Sequence, residues 1–412
     1  VNLGQGFPNW NPAQAALQAA VSVMDPTKPA SEIASLNQYA RSGGHMPLVQ
    51  ALVDLYSEPL KQTLTPANVL VTGGASEALF AAGQAFLDPG DEVILFEPFF
   101  DIYGGALSFA GAKVVPVQLH LRKPAKKDEN DAEPELSSSM YQFDFEELAA
   151  AFSDKTKMIW INTPHNPTGK MFSVDEVEQI ASLVRIHPRV IVLSDEVYEW
   201  ITFDGEVHHR FANLPDMWER TLTVSSAAKT FSITGWKVGW ALGPSALIAA
   251  CSRAHEYIIY CIATPLQDSV AKAIRAAIAG NYFTELKESY ARKRQIVVDA
   301  LRAAGLNPIV PQGAFYVTVD VSHIDLAPSD GLETLTGIQM DKKDWKIARW
   351  LTTVVGVTPI PCSAFYVPEH MEKAAILRFA FCKTEELLHE AAKKFAQFPQ
   401  HLQQTQQKRL QE

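Results

Sequence analysis

The chain has 412 residues, of which 47% are hydrophobic, 20% charged and 10% aromatic. That is enough apolar material for a sizeable core, so disorder over most of the length is excluded, and the length suggests two or three units or one large α/β domain with an appendage. Lysine and arginine total 36 against 46 aspartate and glutamate, a formal net charge of −10, which lacks the basic footprint of a nucleic-acid binder or of a protein held on an anionic membrane surface.

Cys251, Cys261, Cys362 and Cys382 are scattered, with no CxxC pair, and read as reduced thiols. No stretch of 18 apolar residues exists to cross a membrane as a helix. The first residue is Val1 rather than Met, so cytoplasmic and mitochondrial locations both stay open.

In chain order, strands alternate with turn chemistry and helical periodicity, the pattern of an α/β fold with a mostly parallel sheet. NVLVT (68–72) is followed by two glycines and a helix over 76–87. EVILF (92–96) stops before Pro98, and KVVPVQL (113–119) follows. Residues 122–139 are dense in charge with no apolar pattern, and read as a mobile surface insertion within a domain. KMIWIN (157–162) and VIVLS (190–194) flank a helix opened by the S-x-x-E spacing of Ser173 and Glu176, a capping box. LTVS (222–225) is a further strand. A helical pattern runs over 267–304, then strands lie near 314–320 and 375–381, and the polar tail from 401 is expected to fray. The change of texture places a boundary near 270. It divides a large α/β unit from a smaller α+β unit.

Ligands of open parallel sheets bind beyond the carboxyl ends of the strands, so the residues delivered there are the candidates. The first strand delivers Gly74, Ala75 and Ser76, where glycine admits close backbone approach and free helix N–H groups favour a phosphate, although a plain tight turn explains the same residues. EVILF delivers Phe99 and Phe100, which serve a core as readily as a ring platform. KMIWIN delivers TPHNPTGK, in which two prolines and a glycine hold Asn166 either for a ligand or as a capped turn. VIVLS delivers Asp195, Glu196 and Tyr198; a carboxylate there needs a cation or an N-cap role. LTVS delivers Ser226, Lys229 and then Lys237. Lys229 sits among small and apolar neighbours, where desolvation lowers an amine's pKa and makes it a nucleophile. A phosphate cradle, a ring platform, an amide, a carboxylate and a buried lysine together match the groups of pyridoxal phosphate.

NTPHNPTGK, LSDEVYE and SSAAKTFSITGWKVGW resemble the asparagine, aspartate–tyrosine and Schiff-base lysine segments of the fold-type I pyridoxal-phosphate aminotransferases. The resemblance spans nearly the whole chain. VNLGQGFPNW, NQYARSGGHMPLVQAL, EPFFDIY and PQGAFYV are similar to the kynurenine aminotransferase, glutamine transaminase K and cysteine-conjugate β-lyase branch, with the fungal-type kynurenine aminotransferases nearest. The resemblance implies an aspartate-aminotransferase-like fold, with a mostly parallel sheet in a large cofactor domain over 22–269 beside a smaller, discontinuous α+β domain made of 1–21 and 270–412. It implies ping-pong transfer of an amino group from kynurenine or another aromatic or apolar amino acid to a 2-oxo acid such as 2-oxoglutarate.

By matching motif, Lys229 is the Schiff-base lysine, Asp195 pairs with the pyridine nitrogen, and Asn166 and Tyr198 bond the phenolic oxygen. Phe100 stacks on the ring. Ala75, Ser76, Ser226 and Lys237 hold the phosphate, and Arg378 binds the substrate carboxylate with Gly6 and Tyr260 nearby. Tyr39 reaches the phosphate from a second subunit, which implies a homodimer. Phe7, Trp10, Phe315 and Phe365 serve an apolar substrate side chain or simply a core. Two positions depart from the family pattern: Cys362 stands where glycine is usual, and Tyr260-Cys261 stands where a histidine is frequent. A β-eliminating C–S lyase, an aminocyclopropane-type synthase and a non-catalytic ligand-sensing module remain the alternatives.

Overall fold

The computed structural model describes residues 1–123, 134–326 and 342–409, so residues 124–133 of the charged stretch lie outside the described residues. A seven-stranded sheet is built from β1 (Val69–Thr72), β2 (Glu92–Glu97), β3 (Lys113–Gln118), β5 (Thr156–Asn162), β6 (Ile191–Asp195), β7 (Thr221–Ser226) and β8 (Gly239–Leu242) in the order β1-β8-β7-β6-β5-β2-β3. A second, five-stranded sheet has the order β11-β12-β10-β9-β4, from β4 (Leu136–Ser137), β9 (Pro308–Val310), β10 (Tyr316–Asp320), β11 (Ile360–Pro361) and β12 (Ile376–Ala380). The first sheet is parallel from β7 through β3; β8 runs antiparallel to both β1 and β7.

The strand sequences are apolar on both sides because both faces are covered. Val93, Leu95, Met158 and Trp160 enter one hydrophobic cluster, with the helices at Ala75–Phe86 and Ser245–Ile258, while Ile94, Phe96, Ile159 and Ile161 enter another, under the helix at Val174–Ile186. This is period-2 alternation with no polar face, as parallel strands covered by helices require. The Ser173–Glu176 capping box forms in both directions, at 3.2 and 2.9 Å.

Three details differ from the sequence expectation. The helical pattern over 267–304 is two helices, Thr264–Ala279 and Tyr282–Ala303, because Gly280 is extended between them. The first of these buries Val270, Ile274 and Ala277 against residues of the helix at Met46–Tyr56; the second buries Leu286, Tyr290 and Val297 under the five-stranded sheet. The tail forms a helix, Phe398–Arg409, anchored where Phe398 packs edge-on against Trp350 and the Trp350 indole donates to Thr405 Oγ1 at 3.2 Å. Strand β8 has no counterpart in the sequence pattern, since four residues starting at a glycine carry no periodic signal of their own.

That strand matters most for the site. A Cβ on Gly239 would lie 2.5 Å from the Gly74 carbonyl carbon and 2.6 Å from the Ala75 nitrogen, so only glycine lets β8 run against the turn after β1. Gly239→Ala should therefore cost about 1–3 kcal/mol by forcing the Gly74–Ala75 turn outward. At Gly235 a Cβ would meet nothing within 4 Å, and alanine there should be tolerated within about 0.5 kcal/mol. Urea midpoints of the two variants provide the comparison, and equal midpoints would remove the packing constraint.

Candidate active site

The carboxyl ends of β1, β2, β5, β6 and β7 converge on a cavity of about 280 Å³. Its walls include Gly6, Ala75, Ser76, Phe100, Asn166, Asp195, Tyr198, Ser226, Lys229, Lys237 and Arg378. Residues from the two ends of the chain are thus brought to one place. Tyr39 and Tyr260 are not in the wall. They pack edge-on against each other at 5.4 Å, 83% and 50% exposed, on the outer surface.

Gly74 has φ 82°, and a Cβ there would come within 3.3 Å of Lys237 Nζ. Its bare Cα keeps open the space between the lysine and the start of the 12-residue helix Ala75–Phe86, which has no side-chain cap. Uncapped N–H groups facing an ammonium form an anion cradle. Ser226, at the end of β7, adds a hydroxyl that accepts from Ala228 N at 3.3 Å.

Asp195 ends β6, 4% exposed. One oxygen accepts from the Tyr103 hydroxyl at 2.6 Å and the other from Val197 N at 3.2 Å. Among the described residues it has no ion-pair partner. Burial lifts its pKa to about 6 against the opposing effect of these hydrogen bonds.

The next residues turn the other way. Glu196 and Glu199 both pair with Arg210, which contacts Glu199 at 2.5 Å, while Tyr56 and Ser225 donate to Glu199 and His208 contacts Glu196 at 2.8 Å. Asp195 and Tyr198 thus face the cavity, while Glu196 and Glu199 are held behind it.

Among the described residues, Lys229 Nζ donates to the Gly6 carbonyl alone, at 2.8 Å, and burial lowers its pKa to about 8. Arg378 is 6% exposed and faces no carboxylate among the described residues. It donates to Asn166 Oδ1 at 2.6 Å and to the Gly4 carbonyl at 3.2 Å, with its guanidinium over the rings of Tyr316 and Phe365. Asn166 is in turn held by its backbone N–H donating to Asn162 Oδ1 at 2.7 Å.

The strand ends do not single out Tyr103, Asn162 or Tyr316, all in the cavity wall. Tyr103 and Tyr316 lie inside EPFFDIY and PQGAFYV, so the motifs carried the signal without saying where each hydroxyl points. Cys362 is fully buried and is not among the positive-φ residues, so the substitution for glycine needs no left-handed backbone; burial pushes its thiol far above the ordinary range.

The sequence profile of the family "Aminotransferase class I and II" matches residues 1–395. This chain belongs to the class I and II aminotransferases. The aminotransferase is 46% identical to the kynurenine–oxoglutarate transaminase of Dictyostelium discoideum, over 95% of this chain and 89% of that protein. It is 39% identical to kynurenine–oxoglutarate transaminase 1 of Homo sapiens, over 94% and 90%. Among solved structures, Bna3p of Saccharomyces cerevisiae, described as a candidate kynurenine aminotransferase, superposes with a TM-score of 0.88 at 35% identity, over 97% of this chain and 91% of that one. An aspartate aminotransferase of Thermus thermophilus gives a TM-score of 0.80 at 29% identity, over 97% and 91%. The aspartate-aminotransferase-like fold is therefore present, and enzymes of this family depend in general on pyridoxal phosphate.

The raised pKa of Asp195 has a consequence for stability. Ionisation is disfavoured in the fold, so the contribution of this group is lost as pH rises from its ordinary value of 3.8 through about 6. That interval corresponds to about 3 kcal/mol. In cofactor-free protein, Asp195→Asn should gain stability over the parent on going from pH 4 to pH 7, by up to about 3 kcal/mol. Urea unfolding at the two pH values measures it; a pH-independent difference would mean Asp195 is not desolvated.

Proposed function

We propose that this aminotransferase uses pyridoxal 5′-phosphate to move an amino group from kynurenine or another aromatic or apolar amino acid to a 2-oxo acid such as 2-oxoglutarate. The observation that carries the reading is that Asp195, Lys229 and Arg378 face one cavity, none of them in a direct ion pair among the described residues. The kynurenine–oxoglutarate names of its relatives support the choice of donor and acceptor.

The residues fit the cofactor. The glycine-lined cradle of Ala75, Ser76, Ser226 and Lys237 suits a phosphate, the unpaired Asp195 suits a protonated ring nitrogen, and Phe100 supplies an apolar ring face. When bound, the cofactor supplies an aldehyde carbon to carry the amino group and a protonated ring that draws electrons from the substrate Cα.

Asp195 would accept a hydrogen bond from that ring nitrogen and keep it protonated, the cation offsetting the desolvation that raises the carboxyl to about pKa 6. Asn166 and Tyr198 would bond the phenolic oxygen. Arg378 exchanges its bonds to Asn166 and Gly4 for two parallel N–H···O bonds to the substrate carboxylate, beside Gly6. Lys229, with a pKa near 8, is substantially neutral in mildly alkaline solution and would hold and move the substrate Cα proton. Phe315 and Phe365 are buried rings packed against Lys229 and Arg378, and support both cations from behind.

The proposal extends to a homodimer in which Tyr39 of one subunit completes the phosphate site of the other, with Tyr260 at the substrate end. The exposed Tyr39, Tyr257, Ile259 and Tyr260 support an interface there. No helix among the described residues is long and apolar enough to cross a membrane.

Mixing the cofactor-loaded protein with single amino acids should discharge its long-wavelength absorption with kynurenine, and 2-oxoglutarate should restore it. No discharge by any aromatic or apolar amino acid would overturn the donor class. Release of pyruvate and ammonia from a cysteine conjugate as the faster reaction would assign elimination instead. Lys229→Ala should lower turnover at least about 1,000-fold through loss of the proton carrier, and parent-like turnover would remove it from the chemistry. Arg378→Ala should raise KM for both amino acid and oxo acid about 100-fold, the value of charged hydrogen bonds lost; unchanged KM for both would displace it from the carboxylate site.

A further inference from the structure

Tyr316 touches both halves of the site and has no role in the chemistry above. Strand β10 pairs with β12 so that Thr318 lies opposite Arg378 and Tyr316 opposite Ala380. Residues two apart on a strand share a face, so Tyr316 is the diagonal neighbour of Arg378 on the cavity side. Its ring centroid is 4.1 Å from the Arg378 guanidinium, and its hydroxyl is 2.9 Å from that of Tyr198, with the two rings edge-on. The residue is 2% exposed, and a Cβ on Gly6 would fall 2.2 Å from its hydroxyl oxygen, so a side chain at either place would displace the other.

Two hydroxyls sharing one hydrogen bond leave one proton free to point elsewhere. Either hydroxyl can donate in this bond. Tyr198 and Tyr316 both line the cavity, so when Tyr316 donates, the Tyr198 proton is turned toward the cavity.

Building on the pyridoxal-phosphate reading, we propose that Tyr316 is a positioning residue that couples the two halves of the site. Its hydroxyl orients Tyr198 as a donor to the phenolic oxygen of the cofactor, and its ring carries the arginine that takes the substrate carboxylate. The two duties reside in different atoms, so they separate by substitution.

The test compares Tyr316→Phe with Tyr316→Leu in the cofactor-loaded protein, by absorbance titration, steady-state kinetics and binding of phenylpropionate, a carboxylate with no amino group. Tyr316→Phe keeps the ring under Arg378. It should move the midpoint of the absorbance titration by about one pH unit and lower kcat about tenfold, the worth of one hydrogen bond. KM and the phenylpropionate Kd should change less than about twofold. Tyr316→Leu should show the same spectral shift and in addition weaken phenylpropionate about tenfold, through loss of the cation–π contact. Tyr198→Phe with Tyr316→Phe should shift the titration no further than Tyr198→Phe alone, because the hydroxyl of Tyr316 acts through Tyr198.

An unchanged titration and kcat in Tyr316→Phe would overturn the proposal, as would additive shifts in the double variant. Should Tyr316→Leu fail to fold, Tyr316→Phe and the double variant decide the matter alone. Failure of the underlying reading is distinct: the parent protein would then show no absorption band that an amino acid discharges.

Discussion

A carboxylate buried without a direct ion pair is costly, and the site is arranged around one. Asp195 ends an apolar strand at 4% exposure, and among the described residues its direct partners are a phenol and a backbone N–H. Neutral donors blunt the desolvation without cancelling it, so the carboxyl stays near pKa 6 and disposed toward a cation from outside the chain. Neighbouring Glu196 and Glu199 would worsen the repulsion if they faced the same way. Arg210, with Tyr56, Ser225 and His208, holds both behind the cavity wall. One turn thus has two electrostatic sides, one neutralised within the protein and one left for a ligand.

The cationic side follows the same logic. Arg378 and Lys229 direct their donors at neutral acceptors, the Asn166 side chain and the carbonyls of Gly4 and Gly6. Such bonds are weaker than charge-assisted pairs with carboxylates and exchange readily for an anionic partner. The N-terminal segment is therefore part of the site. Lys383, 3% exposed, donates to the carbonyls of Gln5 and Phe7 and fixes that segment against the five-stranded sheet. The formal charge of −10 says nothing of this pocket, where the ionisable groups are held one by one.

Much of the wall was legible because strand ends deliver residues at fixed offsets: Asn166 after KMIWIN, Asp195 and Tyr198 after VIVLS, Lys229 after LTVS. Each depends only on where an apolar run stops. Tyr103 and Tyr316 were not legible in that way. Tyr103 reaches Asp195 across the sheet from the helix Ile102–Phe109, and Tyr316 lies beside Arg378 through the register of β10 against β12. A hydroxyl's partner across such a distance depends on packing between elements, which no local pattern records. Gly239 is similar, since its need for a bare Cα emerges only once β8 lies against the Gly74 turn.

The amino-acid sequence by itself determined the α/β alternation, the strand ends and the residue types they deliver, because hydrophobic period and turn chemistry act over a few residues. The capping box at Ser173 and the apolar strands of the central sheet are of this kind. Tertiary structure alone decided which of those residues share a cavity, that Glu196 and Glu199 turn away from it, and that Tyr39 and Tyr260 lie on the outer surface. It also decided the acid–base character of the site. The shifts at Asp195 and Lys229 come first from burial, and burial belongs to the assembled layers rather than to any segment of the chain.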